Sequence, residues 1–512
     1  MTFEIVFVLL SLLGMMAALI ADKMRPGMVL FSVVVLFLCA GILTPKEMLE
    51  GFSNKGMITV ALLFLVSEGI RQSGTLGQVI KKLLPQGKTT VFKAQLRILP
   101  SVAFISAFLN NTPVVVIFAP IIKHWAKSVK LPATKFLIPL SYVTILGGIC
   151  TLIGTSTNLV VHGMILEAGY EGFTMFELGK VGIFIAIAGI IYLFIFSKRL
   201  LPDARPDTAV PDEEVEEGEK LHRVEAVLGA RFPGINKKLS DFNFQRHYGA
   251  EVKEIKTRNG QRYVNHLEDV VLREGDTLVV MADDTFIPTW GESSVFVLLT
   301  NGNDPDTSGK KKRWLALILL VLMIVGATVG ELPATKEMFP DIKLDMFFFV
   351  CITTIIMAWT NIFPARKYTK YISWDILITI ACAFAISKAM VNSGVADCVA
   401  GFIIGLSDDY GPHVLLAILF VITNLFTELI TNNAAAALAF PLALSISAQL
   451  GVSPTPFFVV ICMAASASFS TPIGYQTNLI VQGIGNYKFT DFVRIGLPLN
   501  IITFLISVIL IP

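Results

Sequence analysis

The sequence predicts a polytopic α-helical membrane protein made of two inverted repeats, and three observations support this fold class. Of the 512 residues, 54% are hydrophobic and only 16% are charged, whereas soluble proteins average roughly 25% charged residues. Polar breaks interrupt apolar runs at corresponding places in the two halves, and several motifs recur at a constant offset. We expect about 11 transmembrane helices, two re-entrant hairpins and a small cytoplasmic α/β domain inserted between the repeats.

The first membrane half, residues 1–202, divides into apolar runs of about the 20 residues that cross a bilayer. Basic residues mark the cytoplasmic side, and residues 71–97 carry six of them and no acid. Residues 123–135 are also basic, so residues 93–125 are predicted to enter and leave the bilayer on the cytoplasmic face as a hairpin. The N-terminus then lies outside, and we expect no cleavable signal because its first residues lack a basic region. The remaining spans of this half are predicted at 3–21, 28–43, 56–70, 137–166 with a break, and 181–196.

The stretch 109–113 is a polar break inside the first hairpin. Backbone groups left unpaired in a bilayer must be buried in protein or line a cavity. Pro113 has no N–H and disfavours helical geometry at Thr112, so two helices are expected to meet here at an open polar tip. The break recurs at 431–433, inside a second hairpin predicted at 414–449.

A soluble domain is predicted between the membrane halves, at residues 221–291. An acidic linker at 203–220 precedes it, and a polar linker at 292–313 ends in the basic run Lys310 to Arg313, which indicates a cytoplasmic location. Strands are predicted at 223–227, 251–257 and 277–281, and Asn259-Gly260 predicts a hairpin turn.

The second membrane half is predicted to cover residues 314–512. Basic residues at 366–370 place one of its loops inside, and Asp408 and Asp409 place another outside. The second hairpin is therefore entered from outside. The other spans are predicted at 314–330, 346–363, 374–390, 457–485 with a break, and 492–511.

The two halves share motifs at an offset of 320 residues. Ser67-x6-Gly74 recurs as Ser387-x6-Gly394, and the longer motif Gly-x2-Thr-Asn-Leu-x3-Gly occurs at 154–163 and at 474–483. By the charge pattern, the copies cross the membrane in opposite directions. An inverted repeat with discontinuous helices at matched positions is typical of secondary transporters and marks their binding site.

The four breaks supply the chemistry of an ion-binding site. Helix ends within the bilayer present unpaired N–H groups and partial positive charge, which favour an anion. Unwound carbonyls, with Ser, Thr and Asn oxygens, suit Na⁺. Because no Lys or Arg lies in the breaks, the anion is expected to be held by neutral donors and by nearby cations. The alternative, that these residues only join packed helices, is disfavoured by four breaks in two matched pairs.

Other polar residues allow two interpretations each. Glu428 is a candidate for proton or cation coupling, since intramembrane acids are often functional, or a structural hydrogen-bonding group. Glu68 and Lys388 occupy matched positions and could pair across the pseudo-twofold axis or snorkel near span ends. His162 is interpreted as a packing histidine with satisfied hydrogen bonds rather than as a ligand, and Ser106 lies one helical turn before the first tip, within reach of it. The six cysteines lack metal-ligand spacing and are interpreted as packing residues.

At these motifs the chain resembles the divalent anion/sodium symporter family, within the wider ion transporter superfamily. In that family a Ser-Asn-Thr motif sits at each hairpin tip, and a Gly-Thr-Pro-Pro-Asn-like motif breaks the following helix. Neither tip of this chain is Ser-Asn-Thr, and both Pro-Pro pairs are absent. The tips read Asn110-Asn111-Thr112 and Thr431-Asn432-Asn433, and the helix breaks read Gly154-Thr155-Ser156-Thr157-Asn158 and Gly474-Tyr475-Gln476-Thr477-Asn478.

The resemblance implies an inverted-repeat ion-transporter fold, a homodimer and elevator-type alternating access, with Na⁺ as the only metal and no other cofactor. One Na⁺ is expected near Ser106, Asn110, Asn111 and Gly154. A second is expected near Thr427, the carbonyl of Ile430, Asn432 and Gly474. The substrate is expected between the tips, among Asn110, Asn111, Thr112, Thr155, Ser156, Thr431, Asn432, Asn433, Tyr475 and Gln476.

The inserted domain resembles the C-terminal domain of potassium-conductance regulators. The resemblance rests on the Phe-Pro-Gly-Ile-Asn-Lys-Lys-Leu stretch at 232–239 and on Leu-Arg-Glu-Gly-Asp-Thr-Leu at 272–278. Symporter relatives with this domain are usually taken as sulfate transporters, and such domains dimerise and can bind nucleotides. Regulation through residues 221–291, with a nucleotide as candidate ligand, and a purely dimerising or vestigial module are both open.

The leading hypothesis is Na⁺-coupled import of a divalent inorganic anion, sulfate first, across the plasma (inner) membrane. A Na⁺-coupled dicarboxylate transporter is the alternative, followed by a proton-coupled anion transporter regulated by the cytoplasmic domain. A channel is disfavoured because no Thr-Val-Gly-Tyr-Gly filter occurs. An enzyme is disfavoured because no phosphate loop, metal-ligand set or nucleophile elbow is present. The expected partners are an anionic small molecule, membrane lipid and a second copy of the chain, and no nucleic acid.

Overall fold

The computed structural model describes residues 3–21, 23–85, 87–203, 222–229, 231–257, 261–283, 286, 290, 295–300, 310–339, 341–405 and 411–511. Nearly all of the first predicted linker and most of the second lie outside the described residues. So do the Asn259-Gly260 turn and the loop that holds Asp408 and Asp409.

The first membrane half is helical, and short polar signals set several helix ends. Thr44 and Glu47 exchange hydrogen bonds in a capping box at the start of α3, and the left-handed Gly74 (φ +71°) separates α4 from α5. The helices are α1 (Phe3–Ala21), α2 (Pro26–Cys39), α3 (Pro45–Glu50), α4 (Lys55–Gln72), α5 (Thr75–Leu83), α6 (Val91–Ser106), α7 (Asn111–Ser128), α8 (Thr134–Gly148), α9 (Ser156–Glu167) and α10 (Gly179–Leu200).

The second membrane half repeats this order. A short helix of the inserted domain, α11 (Phe244–Tyr248), lies between the two halves. The helices of the second half are α12 (Lys310–Gly330), α13 (Pro333–Met338), α14 (Met346–Trp359), α15 (Tyr368–Tyr371), α16 (Trp374–Asn392), α17 (Val395–Gly405), α18 (Pro412–Leu429), α19 (Asn432–Leu450), α20 (Thr455–Ser466), α21 (Gln476–Gly485) and α22 (Phe489–Leu510).

The helices of the two halves correspond at the offset of the sequence motifs. Helices α2 and α14 begin 320 residues apart, as do α5 and α17 and also α9 and α21. The α5 and α17 pair was not predicted, because each is a short segment next to a longer apolar run. Helix α5 begins directly after the left-handed Gly74, and α17 begins directly after the left-handed Gly394. The glycines of the matched Ser-x6-Gly motifs therefore mark a turn between two helices.

Both hairpin tips are narrower than predicted. Thr112 and Pro113 belong to the first turn of α7, so the prediction that Thr112 is not helical is wrong. A proline in the first turn removes an N–H that would have no partner there in any case. The interruption is therefore confined to residues 107–110 in the first hairpin and 430–431 in the second.

Eight helices in the described part of the chain are long and apolar enough to cross a membrane. The chain is thus a multi-pass membrane protein, although the predicted number of about eleven is not reproduced. The difference has a physical cause: α2, α14 and α20 are apolar but only 12 to 14 residues long, and two of the eight long helices, α18 and α19, are the arms of the second hairpin. Helices α1, α10, α12 and α22 expose large apolar side chains along their outer faces, as lipid contact requires.

The membrane helices pack as two units. A central unit contains α6 to α10 and α18 to α22, and α8 within it is buried along its whole length. A flanking unit contains α2, α4, α12, α14 and α16, which pack mainly on one another. The units meet where α4 packs on α9 and α16 packs on α19.

The inserted segment folds as an antiparallel five-stranded sheet in the order β3-β2-β4-β1-β5. Its aromatic core packs around Phe232 and Tyr248. The sheet extends past the boundary expected at residue 291, because β5 pairs with β1. The strands are β1 (His222–Leu228), β2 (Glu251–Lys256), β3 (Arg262–Tyr263), β4 (Thr277–Ala282) and β5 (Phe296–Thr300).

Candidate functional site

Four helices begin at one place in the molecule. They are α7, α9, α19 and α21, whose first residues are Asn111, Ser156, Asn432 and Gln476. The first turn of a helix leaves N–H groups without helical partners and carries partial positive charge. None of the four N-cap side chains accepts a hydrogen bond from its own helix. The structure therefore gathers four positive helix ends that their own caps do not neutralise.

The first hairpin tip contacts the helix break of the other half. Asn111 is fully buried, and its Nδ2 donates to the Tyr475 hydroxyl at 2.6 Å. The Thr112 hydroxyl donates to Oε1 of Gln476 at 3.4 Å. Residues more than 360 positions apart are thereby joined, as the hypothesis of two converging breaks requires.

The second hairpin tip makes the reciprocal contact with the first break. Nδ2 of Asn432 donates to the Thr157 hydroxyl at 2.8 Å. Oδ1 of Asn433 accepts hydrogen bonds from the hydroxyls of Ser156 at 3.1 Å and Thr157 at 3.3 Å. Each tip therefore binds the break that belongs to the other repeat.

The two helix breaks have the same internal hydrogen bonds. In the first, Nδ2 of Asn158 donates to the carbonyls of Gly148 and Thr151, and in the second Asn478 does the same to Ser468 and Thr471. The threonine hydroxyl in each break bonds the carbonyl of the residue at the end of the preceding hairpin arm, Ala107 or Glu428. The internal repeat thus holds at the level of individual atoms.

Glycine is required where each break packs against its neighbours. A Cβ atom on Gly154 would clash with the backbone of Gly148, and one on Gly474 would clash with the Thr427 carbonyl and the Ser468 hydroxyl. Backbone oxygens therefore approach both breaks closely. Such crowded oxygens are the ligands that Na⁺ uses in unwound helices.

The residues predicted around the first Na⁺ lie together in part. The Ser106 hydroxyl donates to Oδ1 of Asn111 at 2.7 Å, so Ser106 does reach the tip. The same Oδ1 lies close to Gly148, which in turn packs on Gly154. Asn110 is half-buried and borders a cavity described below.

The residues predicted around the second Na⁺ are placed similarly. The carbonyl of Thr427 faces Gly474, while its hydroxyl donates to the Ala465 carbonyl at 2.6 Å. Ile430 is the C-cap residue immediately after α18. The Thr431 hydroxyl is buried and has no hydrogen-bond partner within the described part of the chain.

A cavity lies between the central and flanking units beside the first tip. Its polar lining comes from Ser67 on α4, Asn110 and Ser156, and the rest is apolar, including Phe108 and Leu109. Asn110 and Ser156 are thus the predicted site residues that border this small cavity.

Glu428 is held by the structure around the second break. Its carboxylate accepts a hydrogen bond from the backbone N–H of Ser470 at 2.8 Å and one from Nδ2 of Asn500 at 2.7 Å. The position that matches Glu428 in the first half is Ala107, which has no polar side chain. Glu428 therefore distinguishes the two halves of the site, and both of its interpretations stay open.

Two further predictions about polar residues have clear outcomes. Glu68 does not pair with Lys388: it binds Arg71 at 2.6 Å and Gln72 at 2.5 Å on its own helix, because neighbours three and four residues away are closer than the other repeat. His162 packs against Gly172 as expected, but its Nδ1 makes no hydrogen bond among the described residues, so the expectation of a fully hydrogen-bonded ring is wrong at this atom.

Sequence reasoning did not select several polar residues that complete the site. The Ser141 hydroxyl, in the middle of the buried helix α8, lies 2.8 Å from the Thr477 hydroxyl and 2.7 Å from Oδ1 of Asn478. Thr157 binds the second tip, as described above. The available signal was Ser141 itself, since a hydroxyl in the centre of an apolar run needs a partner.

Comparison with known proteins finds similarity to a transporter family and to proteins named as transporters. A family model described as citrate transporter matches residues 16–450 and, in a second match, residues 338–512. An uncharacterized transporter of Synechocystis is 29% identical over 94% of this chain and 92% of its own length. A putative sulfur deprivation response regulator of Chlamydomonas reinhardtii is 28% identical over 94% and 96% of the two chains. A probable sodium/sulfate cotransporter 3 of the same alga is 22% identical over 94% and 85%.

Proposed function

The chain belongs to the citrate transporter family and is a secondary anion transporter, and from this premise we propose that it imports a divalent inorganic anion, sulfate, together with Na⁺. The observation that carries the proposal is the meeting of four helix N-termini whose breaks, residues 110–112, 154–158, 431–433 and 474–478, contain no charged side chain. A site of this kind attracts an anion through N–H groups and helix dipoles. It leaves the remaining charge to be balanced by bound cations.

The two matched breaks are proposed to hold those cations. Each break brings a glycine against crowded backbone oxygens, near Asn111 in one half and near Thr427 in the other. Binding of Na⁺ beside each tip would order the helix ends that face the anion, which couples the two ligands. The relatives named sodium/sulfate cotransporters support this choice of ion and substrate for the present chain.

Elevator-type movement and a homodimer complete the proposal. The division into a central and a flanking unit, with a cavity at their boundary next to Asn110, supports sliding of one unit past the other. The inserted sheet is proposed to lie in the cytoplasm. Its identity as a regulator-type domain that dimerises or binds a nucleotide remains a prediction.

Uptake into proteoliposomes tests the function directly. The purified protein is reconstituted, and uptake of radiolabelled sulfate and of succinate is measured with and without an inward Na⁺ gradient. We expect sulfate uptake that depends on Na⁺. If more than two Na⁺ accompany each dianion, each extra positive charge adds about 2.3 kcal/mol of driving force per 100 mV of inside-negative potential. Sulfate uptake that ignores Na⁺ would refute the proposal. A response to a proton gradient instead would favour the proton-coupled alternative through Glu428, and Na⁺-driven succinate uptake alone would favour the dicarboxylate alternative.

A further inference from the structure

The two helix breaks differ most at one pair of matched positions. Residue 155 of the first break is threonine, and residue 475 of the second is tyrosine. The next positions differ in the same direction, with Ser156 in the first break and Gln476 in the second. The site is therefore pseudo-symmetric in its backbone and hydrogen bonds, but the second repeat contributes the larger side chains.

Tyr475 lies at the centre of the polar network. Its side chain is only 7% exposed. Its hydroxyl accepts a hydrogen bond from Nδ2 of Asn111 at 2.6 Å and lies 3.0 Å from the Thr155 hydroxyl. One phenol group thus touches the first hairpin tip and the opposite helix break.

This position determines how much space remains between the four helix ends. The aromatic ring extends from the second break as far as the first tip, across the region where the anion is proposed to bind. Its hydrogen bonds hold it there, and a buried ring in a close-packed site cannot turn away without leaving a void. A threonine at this position, as in the first break, would leave the ring's volume free.

We propose that Tyr475 is a specificity-determining residue that restricts the site to compact tetrahedral dianions and excludes longer dicarboxylates. This inference rests on the proposed transport function. A tetrahedral oxyanion carries both charges within one small group that helix ends can surround. The two carboxylates of a four-carbon acid need a longer site, and the ring occupies the space that the second carboxylate would require.

The experiment compares Tyr475→Thr and Tyr475→Phe with the wild type in proteoliposomes under an inward Na⁺ gradient. The ratio of initial sulfate uptake to initial succinate uptake is the readout. We expect Tyr475→Thr to lower this ratio at least tenfold, because the freed space admits succinate. Tyr475→Phe keeps the ring and should keep the wild-type preference within about threefold, even where its rate falls.

A matched control separates the effect of side-chain size at position 475 from a general loss of packing. Tyr192 is also 7% exposed, and its hydroxyl donates to the Ile495 carbonyl away from the network. Tyr192→Thr should leave the sulfate-to-succinate ratio unchanged. An equal change in this control would overturn the inference, since the effect would then not be specific to Tyr475.

A binding assay is needed for variants that bind an anion but do not transport it. For these, the shift of the melting temperature that each anion causes is measured in detergent. In Na⁺ buffer, sulfate should stabilise the wild type more than succinate does, and Tyr475→Thr should reverse or equalise the order. A Tyr475→Thr protein with the wild-type order in both assays would overturn the inference and leave the transport function intact. Absence of Na⁺-driven sulfate uptake by the wild type would instead refute the proposed function itself.

Discussion

At the scale of single residues, the site depends on side-chain amides that bind two partners each. Asn111 accepts from Ser106 through Oδ1 and donates to Tyr475 through Nδ2. Asn432 donates to Thr157 and also accepts from the N–H of Asn433. An amide is suited to this role because it has both donor and acceptor atoms without a net charge.

We therefore expect Asn111→Ala and Asn432→Ala each to lower Na⁺-driven uptake at least 100-fold. The reason is that each change leaves buried polar partners unpaired at the meeting point of the helix ends. Uptake and size-exclusion profiles are measured together, so that loss of function can be separated from unfolding. Asn392→Ala is the control, because Asn392 donates to the Ile42 carbonyl and the Glu47 carboxylate and, among the described residues, makes no hydrogen bond to either tip. Full activity of either tip variant would contradict the assignment of the site.

At the scale of elements, the sequence predicted most helices well and some of their ends poorly. Helices lie within a few residues of the first span, of the two predicted hairpins and of the two broken crossings. That the hairpins re-enter the bilayer stays a prediction. The proline at the first tip was misinterpreted, because its effect depends on whether the helix begins before or after it. The short pair α5 and α17 was missed, because amphipathic segments of about ten residues give a weak periodic signal.

The helix breaks permit a prediction at this scale. Gly474→Ala places a methyl group against the Thr427 carbonyl and the Ser468 hydroxyl, so we expect it to destabilise the protein by about 1–3 kcal/mol and to reduce uptake strongly. Thermal unfolding in detergent and proteoliposome uptake are the measurements. Ser468→Gly, which copies Gly148 of the first break, should restore part of the loss in the double variant.

Gly14→Ala is the control for that experiment. Gly14 lies within α1, and an added Cβ there meets nothing within 4 Å. Alanine is favoured over glycine in a helix by up to about 1 kcal/mol, so stability should stay the same or rise. Equal destabilisation by Gly14→Ala and Gly474→Ala would show that the crowding at the break is unimportant.

At the scale of the whole molecule, the inserted sheet touches both membrane units. In the central unit, Lys123 of α7 pairs with Glu225 of β1 at 3.0 Å. In the flanking unit, Arg231 donates to the Ile372 carbonyl at 3.2 Å, next to α16.

Burial alone would raise the pKa of Glu225, but the ammonium groups of Lys123 and Lys256 outweigh this effect and lower the pKa to about 2. The ionised carboxylate therefore stabilises the docked sheet at pH values above 4.5, the ordinary pKa of a glutamate. This stabilisation is lost as the pH falls from 4.5 towards 2.

We expect Lys123→Ala to loosen the docking of the sheet on the central unit. The change leaves Glu225 with a weaker set of cationic partners, so amide hydrogen exchange in β1 should accelerate severalfold at neutral pH, measured by mass spectrometry of the full chain. Lys253→Ala is the matched control, because its pair with Glu251 is about half-exposed on both sides and exposed pairs contribute little. Unchanged exchange in β1 of Lys123→Ala would contradict the proposed contribution of this ion pair.

The sequence by itself determined the membrane class, the internal repeat and the polar breaks of the candidate site. These features are local: hydropathy, motif spacing and the absence of charge can be read from neighbouring residues. Only the tertiary structure decided which tip contacts which break, that Glu68 pairs within its own helix, and that Ser141 and Thr157 complete the network. Those outcomes depend on distances between segments far apart in the chain, which packing sets and which no local pattern records.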